Sequence, residues 1–434
     1  MAGRKRLHIA WLGSAPIEGG SAGGAGTELL DGLAALGHRI DCFFPSQPRE
    51  VPERLAKYDN LTINWGTSSW RWDRWYSRTK LGAFVTGLFA RALASLRLQR
   101  EVLHSHSHDP YDLFFQNQSI EALGVPSSLA RTVPLVMCPQ TEMAGELRCL
   151  LAEWRLSLRC QPAYILPLVA SVMFFRALVQ RVKIRRAKLL ICISSVFRDH
   201  MARDYGFPLS DTVVIQNPIN LDRFSDVDIT AKETGEPPIV LVPTRIAVRK
   251  GIEDVVAVAR TLRDRGVEAR IRVVGGPSLF SDYRKLLDDL PPENAEYAGA
   301  VSHSEMPGEF RNSDMVLLPS KFDPCPLAVL EALACGVPVV GTSEVGSIEN
   351  VDRSVAAEVE PGDIDGLASA VIGMLDRLRS EPVETRELAR AEAERLFAPE
   401  VICGQISDAL EGLVTGPGDE VALEGSAPAA TAPR

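Results

Sequence analysis

A chain of 434 residues with ordinary apolar content is long enough for two or more domains, each burying its own core. Its formal net charge of −9 excludes a general nucleic-acid binder, which needs a basic face. The charge is unevenly shared: residues 1–210 hold 26 Lys+Arg against 17 Asp+Glu, and residues 211–434 hold 21 against 39. A basic first half suits an acidic acceptor or an anionic membrane surface, or is an incidental solvated face.

In chain order, residues 7–12 read as a buried first strand rather than the core of a signal peptide, which gives a cytoplasmic expectation. A cluster of glycines at 19–26, including Gly20, follows, then a helix over 27–36 and a second strand over 39–44. Glycines at such a turn let backbone N–H groups approach a bound anion. The dinucleotide fingerprint G-x-G-x-x-G is absent and no acid ends the second strand, so a nicotinamide cofactor is not expected. Between Trp70 and Arg100, aromatic and basic residues interleave and lead into an amphipathic helix over 81–103. That composition favours a bilayer interface, sugar stacking, or a surface helix over the sheet. His104, His106 and His108 would share one face of a strand, as metal ligands do, but no acid or cysteine cluster joins them. A polar loop is the better reading, with no metal.

Two strands follow, over 112–115 and 135–138, ending in Gln116-Asn117 and in Gln140-Thr141-Glu142. These polar groups belong at the carboxyl ends of a parallel sheet, facing a cleft. From Ala163 a thirteen-residue apolar run leads into a basic run ending at Lys188. Thirteen residues rise only about 20 Å as a helix, short of a bilayer core of about 30 Å, so a buried or interfacial helix is expected. Strands over 189–193 and 212–215 complete the first domain, and a hinge is placed at 217/218 with a polar linker over 225–238. The eight cysteines contain no C-x-x-C pair and read as buried thiols of a reducing compartment.

The second domain opens with a strand over 239–242, followed by Arg245, Lys250 and Gly251, and then a helix with one apolar face. Two cations beside a helix start suit a diphosphate. A strand over 271–274 and a segment over 296–301 containing Gly299 come next. The stretch 315–349 then runs strand, loop, helix, strand: an αβ unit with Asp323 just before the helix, Pro326 in its first turn and Glu331 eight positions after Asp323. An acid buried mid-helix needs a partner, and vicinal sugar hydroxyls would satisfy both its oxygens. A last helix over 399–413 precedes a Gly/Pro/Ala-rich tail, 415–434, expected to be disordered.

D-x7-E followed by A-L-A-C-G-V-P-V-V-G-T and G-S-I-E resembles the signature of the retaining GT-B glycosyltransferases of family 4, with Asp323 where the family usually has glutamate. Arg245 and Lys250 resemble its G-R-L-x3-K-G cations, and 216–224 its interdomain crossover, with proline for glycine. The resemblance implies an α/β GT-B fold: two doubly wound Rossmann-like domains facing across a cleft. The first, 1–217, would bind the acceptor and the second, 218–395, the donor, with a helix over 396–414 packing back on the first. It implies sugar transfer from a nucleotide-diphosphate sugar to an acceptor hydroxyl, the acceptor being a carbohydrate, a lipid-linked glycan or a small molecule. No cofactor or metal is expected. Arg245, Lys250 and Asp323 take catalytic roles. Glu331, Gly20, Pro326, Leu327, Ala328 and Gly299 fall on the donor side, and Gln116, Asn117, Gln140 and Glu142 on the acceptor side. Alternatives are an epimerase or phosphorylase on the same fold, or a non-catalytic nucleotide-sugar or glycan-binding protein.

Overall fold

The structure, a computed structural model, describes residues 5–17, 22–45, 50–66, 80–118, 125–224, 237–277 and 282–415. The expectations for Gly20, the aromatic-basic run from Trp70 to Arg78, most of the linker and the tail beyond 415 lie outside them. Seven strands form the first sheet: β1 (His8–Leu12), β2 (Arg39–Phe44), β3 (Leu61–Trp65), β4 (Leu113–Gln118), β5 (Leu135–Pro139), β6 (Leu189–Cys192) and β7 (Thr212–Val214). They lie parallel in the order β3-β2-β1-β4-β5-β6-β7. Six more form the second: β8 (Ile239–Pro243), β9 (Arg270–Val274), β10 (Ala295–Gly299), β11 (Met315–Leu318), β12 (Val339–Thr342) and β13 (Ala356–Val359), parallel in the order β10-β9-β8-β11-β12-β13.

Helices cover both faces of each sheet, which is why the central strands are continuous apolar runs rather than alternating ones. Ile9, Trp11, Phe114, Phe115 and Ile191 are buried in the first core, and Val240, Val242, Ile271 and Leu317 in the second. Trp11 on β1 stacks on its register partner Phe115 on β4, centroids 4.6 Å apart. The Pro399–Thr415 helix returns to the first domain, where Ile402, Cys403, Ile406 and Leu410 join its core and His38 Nε2 meets Ser407 Oγ at 2.8 Å.

Three elements differ from expectation. The first helix, Ala22–Ala35, absorbs the glycines 23–26 instead of following them. A Cβ on Gly26 would stand 2.7 Å from Asn117 Nδ2, so here glycine serves close packing of helix on β4. The three histidines occupy the last turns of the Lys80–His108 helix, not a loop: buried Leu98 and Val102 carry the helical period up to them, and His106 stacks on Tyr111. The helix expected from the apolar run at Ala163 ends in a cationic turn, Arg181 and Lys183, as read, but is longer than the thirteen apolar residues: Ile165–Ile184, of 20 residues. It reaches that far because its packed face, Ala177, Gln180 and Ile184, continues past the apolar run, and Arg185, Arg186 and Lys188 follow its end.

The segment between β5 and β6 joins the domains. From its Met143–Ala152 helix, Leu150 enters the second domain's core. From its Trp154–Cys160 helix, Ser157 Oγ meets Tyr283 OH at 2.7 Å and Arg159 pairs with Asp289 at 2.6 Å. On the other side of the cleft, Glu349 accepts from the Ser195 N–H at 3.0 Å and pairs with the Ser195 hydroxyl.

Candidate active site

The loop after β11 turns on two fixed points. Lys321 N–H donates to the Arg249 carbonyl at 2.8 Å, and Asp323 N–H to the Glu344 carbonyl at 3.2 Å. Beyond them the chain passes through Pro324 and Cys325 into the Leu327–Ala334 helix, which no side chain caps. Pro326 stands at its N-cap, one position earlier than expected, where a missing N–H is harmless. The first N–H groups, at Leu327 and Ala328, therefore present the helix's partial positive charge without a side-chain partner. Leu327 lines a recess of about 130 Å³ shared by the two domains: Arg249, Asp323 and Cys325 on one wall, Gln140, Glu146 and Asn217 on the other.

Asp323, 5 % exposed, is clamped. Lys250 Nζ pairs with its Oδ2, Arg249 Nη1 stands 3.4 Å from its Oδ1, and Ser320 Oγ lies 3.4 Å from Oδ2. Burial alone would raise its pKa, but Lys250 and then Arg249 override that and hold the carboxyl below its ordinary range. Burial, reinforced by Arg249, pushes the Lys250 ammonium down to about 8. Arg249 also faces Glu146 at 3.6 Å, so two cations and two carboxylates cancel here. Lys250 is thus shared with Asp323, which leaves the uncapped helix N-terminus as the unshared positive charge at the recess, whose lining does not include Arg245. Arg245 is exposed and meets no carboxylate among the described residues.

The Lys250 turn depends on Gly251, at φ +63°, where a Cβ would stand 2.0 Å from the Pro319 carbonyl oxygen. That contact sets the cation loop against the start of the Asp323 loop. Gly299, at φ +85°, accepts from the Gly275 N–H at 2.7 Å, which places the end of β10 beside the Thr244–Arg245 turn.

Glu331 lies one turn into the helix, 5 % exposed, with Oε1 lacking a hydrogen-bond partner. Burial pushes its pKa to about 8, and Arg223 from the interdomain crossover opposes that only in part. Arg223 is itself turned to His303, 2.6 Å from Nε2 and 2.5 Å from the carbonyl oxygen. A buried acid left with an unmet acceptor atom fits a diol supplied from outside.

The first domain's candidates divide. Gln140 exchanges two hydrogen bonds with Asn217, at 3.1 and 2.8 Å, and Asn217 Nδ2 also reaches Cys325 Sγ at 3.6 Å, so Gln140 is at the recess. Gln116 and Asn117 end β4 as expected but are buried, Asn117 against Gly13 and Gly26. The next residue, Gln118, has φ +76° and is the one non-glycine with positive φ among the described residues. Glu142 is corrected: it is fully buried and accepts from Gly145 N–H at 2.7 Å as the N-cap of its helix, because an acid there satisfies a helix donor. Burial, then Asp204, raises it to about 7.

Glu142, His200 and Asp204 bring ligand atoms within 4.8 Å of one another. The group already holds its cation: Arg148 pairs with Asp204 and approaches His200 Nδ1 at 3.4 Å. Arg249, Asn217, Arg223 and His200, whose ring stacks on Phe322 at 5.1 Å, are site residues that sequence reasoning missed. Arg249 had a signal, since it precedes Lys250; the others depend on the meeting of the two domains.

The comparisons with known proteins agree with this architecture. Residues 26–223 match the family model described as Glycosyltransferase Family 4, and residues 237–377 that described as Glycosyl transferases group 1. Glycogen synthase of Mycobacterium tuberculosis is 28% identical over 219 residues, 49% of this chain and 50% of that protein. The chain spans about half the length of that curated relative. Sucrose-phosphate synthase from Thermosynechococcus elongatus superposes with a TM-score of 0.66 at 18% identity, over 94% of this chain and 99% of that one. HepE of Anabaena, solved with UDP and glucose, gives 0.59 at 19% identity, over 94% and 100%. The chain therefore has the GT-B fold, its first half matching the Glycosyltransferase Family 4 model and its second the Glycosyl transferases group 1 model.

Proposed function

We propose that the protein transfers a sugar, with retention, from a nucleotide-diphosphate sugar to an acceptor hydroxyl in glycan, glycolipid or glycosylated natural-product synthesis. The observation that carries this reading is Glu331: a buried carboxyl group with an unmet acceptor atom, one turn inside an uncapped helix whose N-terminus opens on the interdomain recess. Glu331 would accept from both ribose hydroxyls, and the Leu327 and Ala328 N–H groups with Arg245 would hold the diphosphate. Gly299, at the end of β10, would lie beside the base. The acceptor would enter past Gln140, and the lining of the recess by first-domain residues supports that side.

The chemistry needs one bond broken and one made at the anomeric carbon. As the bond to the leaving phosphate oxygen lengthens, negative charge grows on the diphosphate, and Arg245 and the helix N-terminus stabilise it. The phosphate oxygen then takes the acceptor's proton as the new glycosidic bond forms on the same face. Asp323, with Lys250 and Arg249 drawing on its oxygens, stays ionised and suits charge stabilisation better than attack on carbon. Incubation with a panel of nucleotide-diphosphate sugars and acceptors tests the reading. Acceptor-dependent release of nucleoside diphosphate with an α-linked product from an α-linked donor is expected. Donor turnover without acceptor would favour an epimerase, and binding without release a non-catalytic receptor.

A further inference from the structure

Among the described residues, seventeen large apolar side chains are exposed, and ten of them fall between Leu151 and Val182. On the Ile165–Ile184 helix and its approach they recur at Tyr164, Leu168, Phe175, Leu178 and Val182, steps of four, seven, three and four that keep one helical face outward. Phe174 and Phe175 are 56 % and 64 % exposed, an unusual setting for two adjacent phenylalanines.

Charge says what covers this face. From Trp154 to Lys188 the sequence contains eight Lys and Arg and no Asp or Glu, in a chain whose total is −9. Arg159 already pairs with Asp289; two copies meeting face to face would set the rest against like charge, whereas an anionic surface neutralises them. The helix is also long and apolar enough to cross a membrane by length and composition. Its other face is committed to the protein, however. Gln180 accepts from Met143 N–H at 3.0 Å and from the Tyr205 hydroxyl, and Leu166, Val169, Ala170 and Met173 pack on the second domain's core. A crossing would strip those contacts, so the helix lies along a surface instead.

We infer that the outward face of the Ile165–Ile184 helix, with the neighbouring Trp154–Cys160 helix, docks the protein on an anionic lipid bilayer. The apolar row enters the headgroup–acyl boundary while the arginines and lysines meet lipid phosphates. The Met143–Ala152 helix, about 15 Å long, connects this surface to the Gln140 side of the recess. Docking therefore holds the acceptor entrance beside the membrane and points to a lipid-borne acceptor, a consequence that rests on the proposed sugar transfer; the docking itself does not.

Flotation with vesicles of phosphatidylcholine alone, and of phosphatidylcholine with about 30 mole per cent phosphatidylglycerol, tests it. The full chain should float with the anionic vesicles, lose about tenfold in partitioning as Phe174→Ser/Phe175→Ser, and lose its anionic preference as Arg181→Gln/Arg185→Gln. Both variants alter exposed side chains, so thermal melts and nucleoside diphosphate release with a soluble acceptor should match the parent. That control separates failure of docking from failure of sugar transfer. Absence of flotation on anionic vesicles overturns the inference. So does a dimer that Phe174→Ser/Phe175→Ser dissociates, because a second copy would then cover the face.

Discussion

Asp323 and Arg245 illustrate how residues in one motif region divide between holding the structure and doing chemistry. Asp323 is buried against two cations, so Asp323→Ala leaves charges without a partner and should cost about 3–5 kcal/mol in denaturant unfolding. Arg245 is exposed, so Arg245→Ala should change stability by no more than about 0.5 kcal/mol while transfer falls by about 100-fold or more. Glu331 gives a pH signature. Its folded pKa, about 8, lies above that of the unfolded carboxyl. The associated stability is fully present below the ordinary carboxylate range and is lost as pH rises towards and through 8. Glu331→Gln should therefore gain on the parent across that window in melts taken at successive pH values. When ribose hydroxyls donate to it, the carboxyl must ionise, so nucleoside diphosphate binding near pH 7 should release up to about one proton. Calorimetry in buffers of different ionisation enthalpy reads that release, and Glu331→Gln should remove it.

At the scale of elements, what the sequence made legible follows from what local chemistry dictates. The αβ unit around Asp323 was readable because strand, loop, proline, apolar helical face, glycine and strand follow in an order that few other structures satisfy. The glycines 23–26 misled because glycine serves turns and close approaches alike, and only Asn117 on β4 distinguishes them. Glu142 misled for a similar reason: an acid after a strand faces a cleft or caps the next helix, and the cap was taken. Glu349 at the end of G-S-I-E was readable as motif but not as function, since its partner, Ser195, is 154 residues away in the other domain. It accepts from the first N–H of the Ser195–Tyr205 helix, whose N-cap is Ser194, in a charge-assisted bond across the cleft. Glu349→Ala should cost about 1–2 kcal/mol and speed hydrogen exchange at the first turn of that helix.

At the scale of the molecule, the two sheets bring together groups that neither domain holds alone. Asn217, held by Gln140, meets Cys325, Ser195 meets Glu349, and the β5–β6 segment ties the domains through Ser157 and Arg159. These contacts were invisible in the sequence because they join side chains whose spacing depends on how the domains meet. The α/β class and the doubly wound halves were legible from apolar runs alternating with helical faces. The account's central claim is that the recess closes on a nucleotide-diphosphate sugar and passes its sugar to an acceptor. Its most direct test is nucleoside diphosphate release from a donor panel, with and without acceptors, by the parent chain and by Arg245→Ala. The account predicts acceptor-dependent release from at least one donor, and its loss in Arg245→Ala with the melt unchanged; undiminished release by that variant would contradict it.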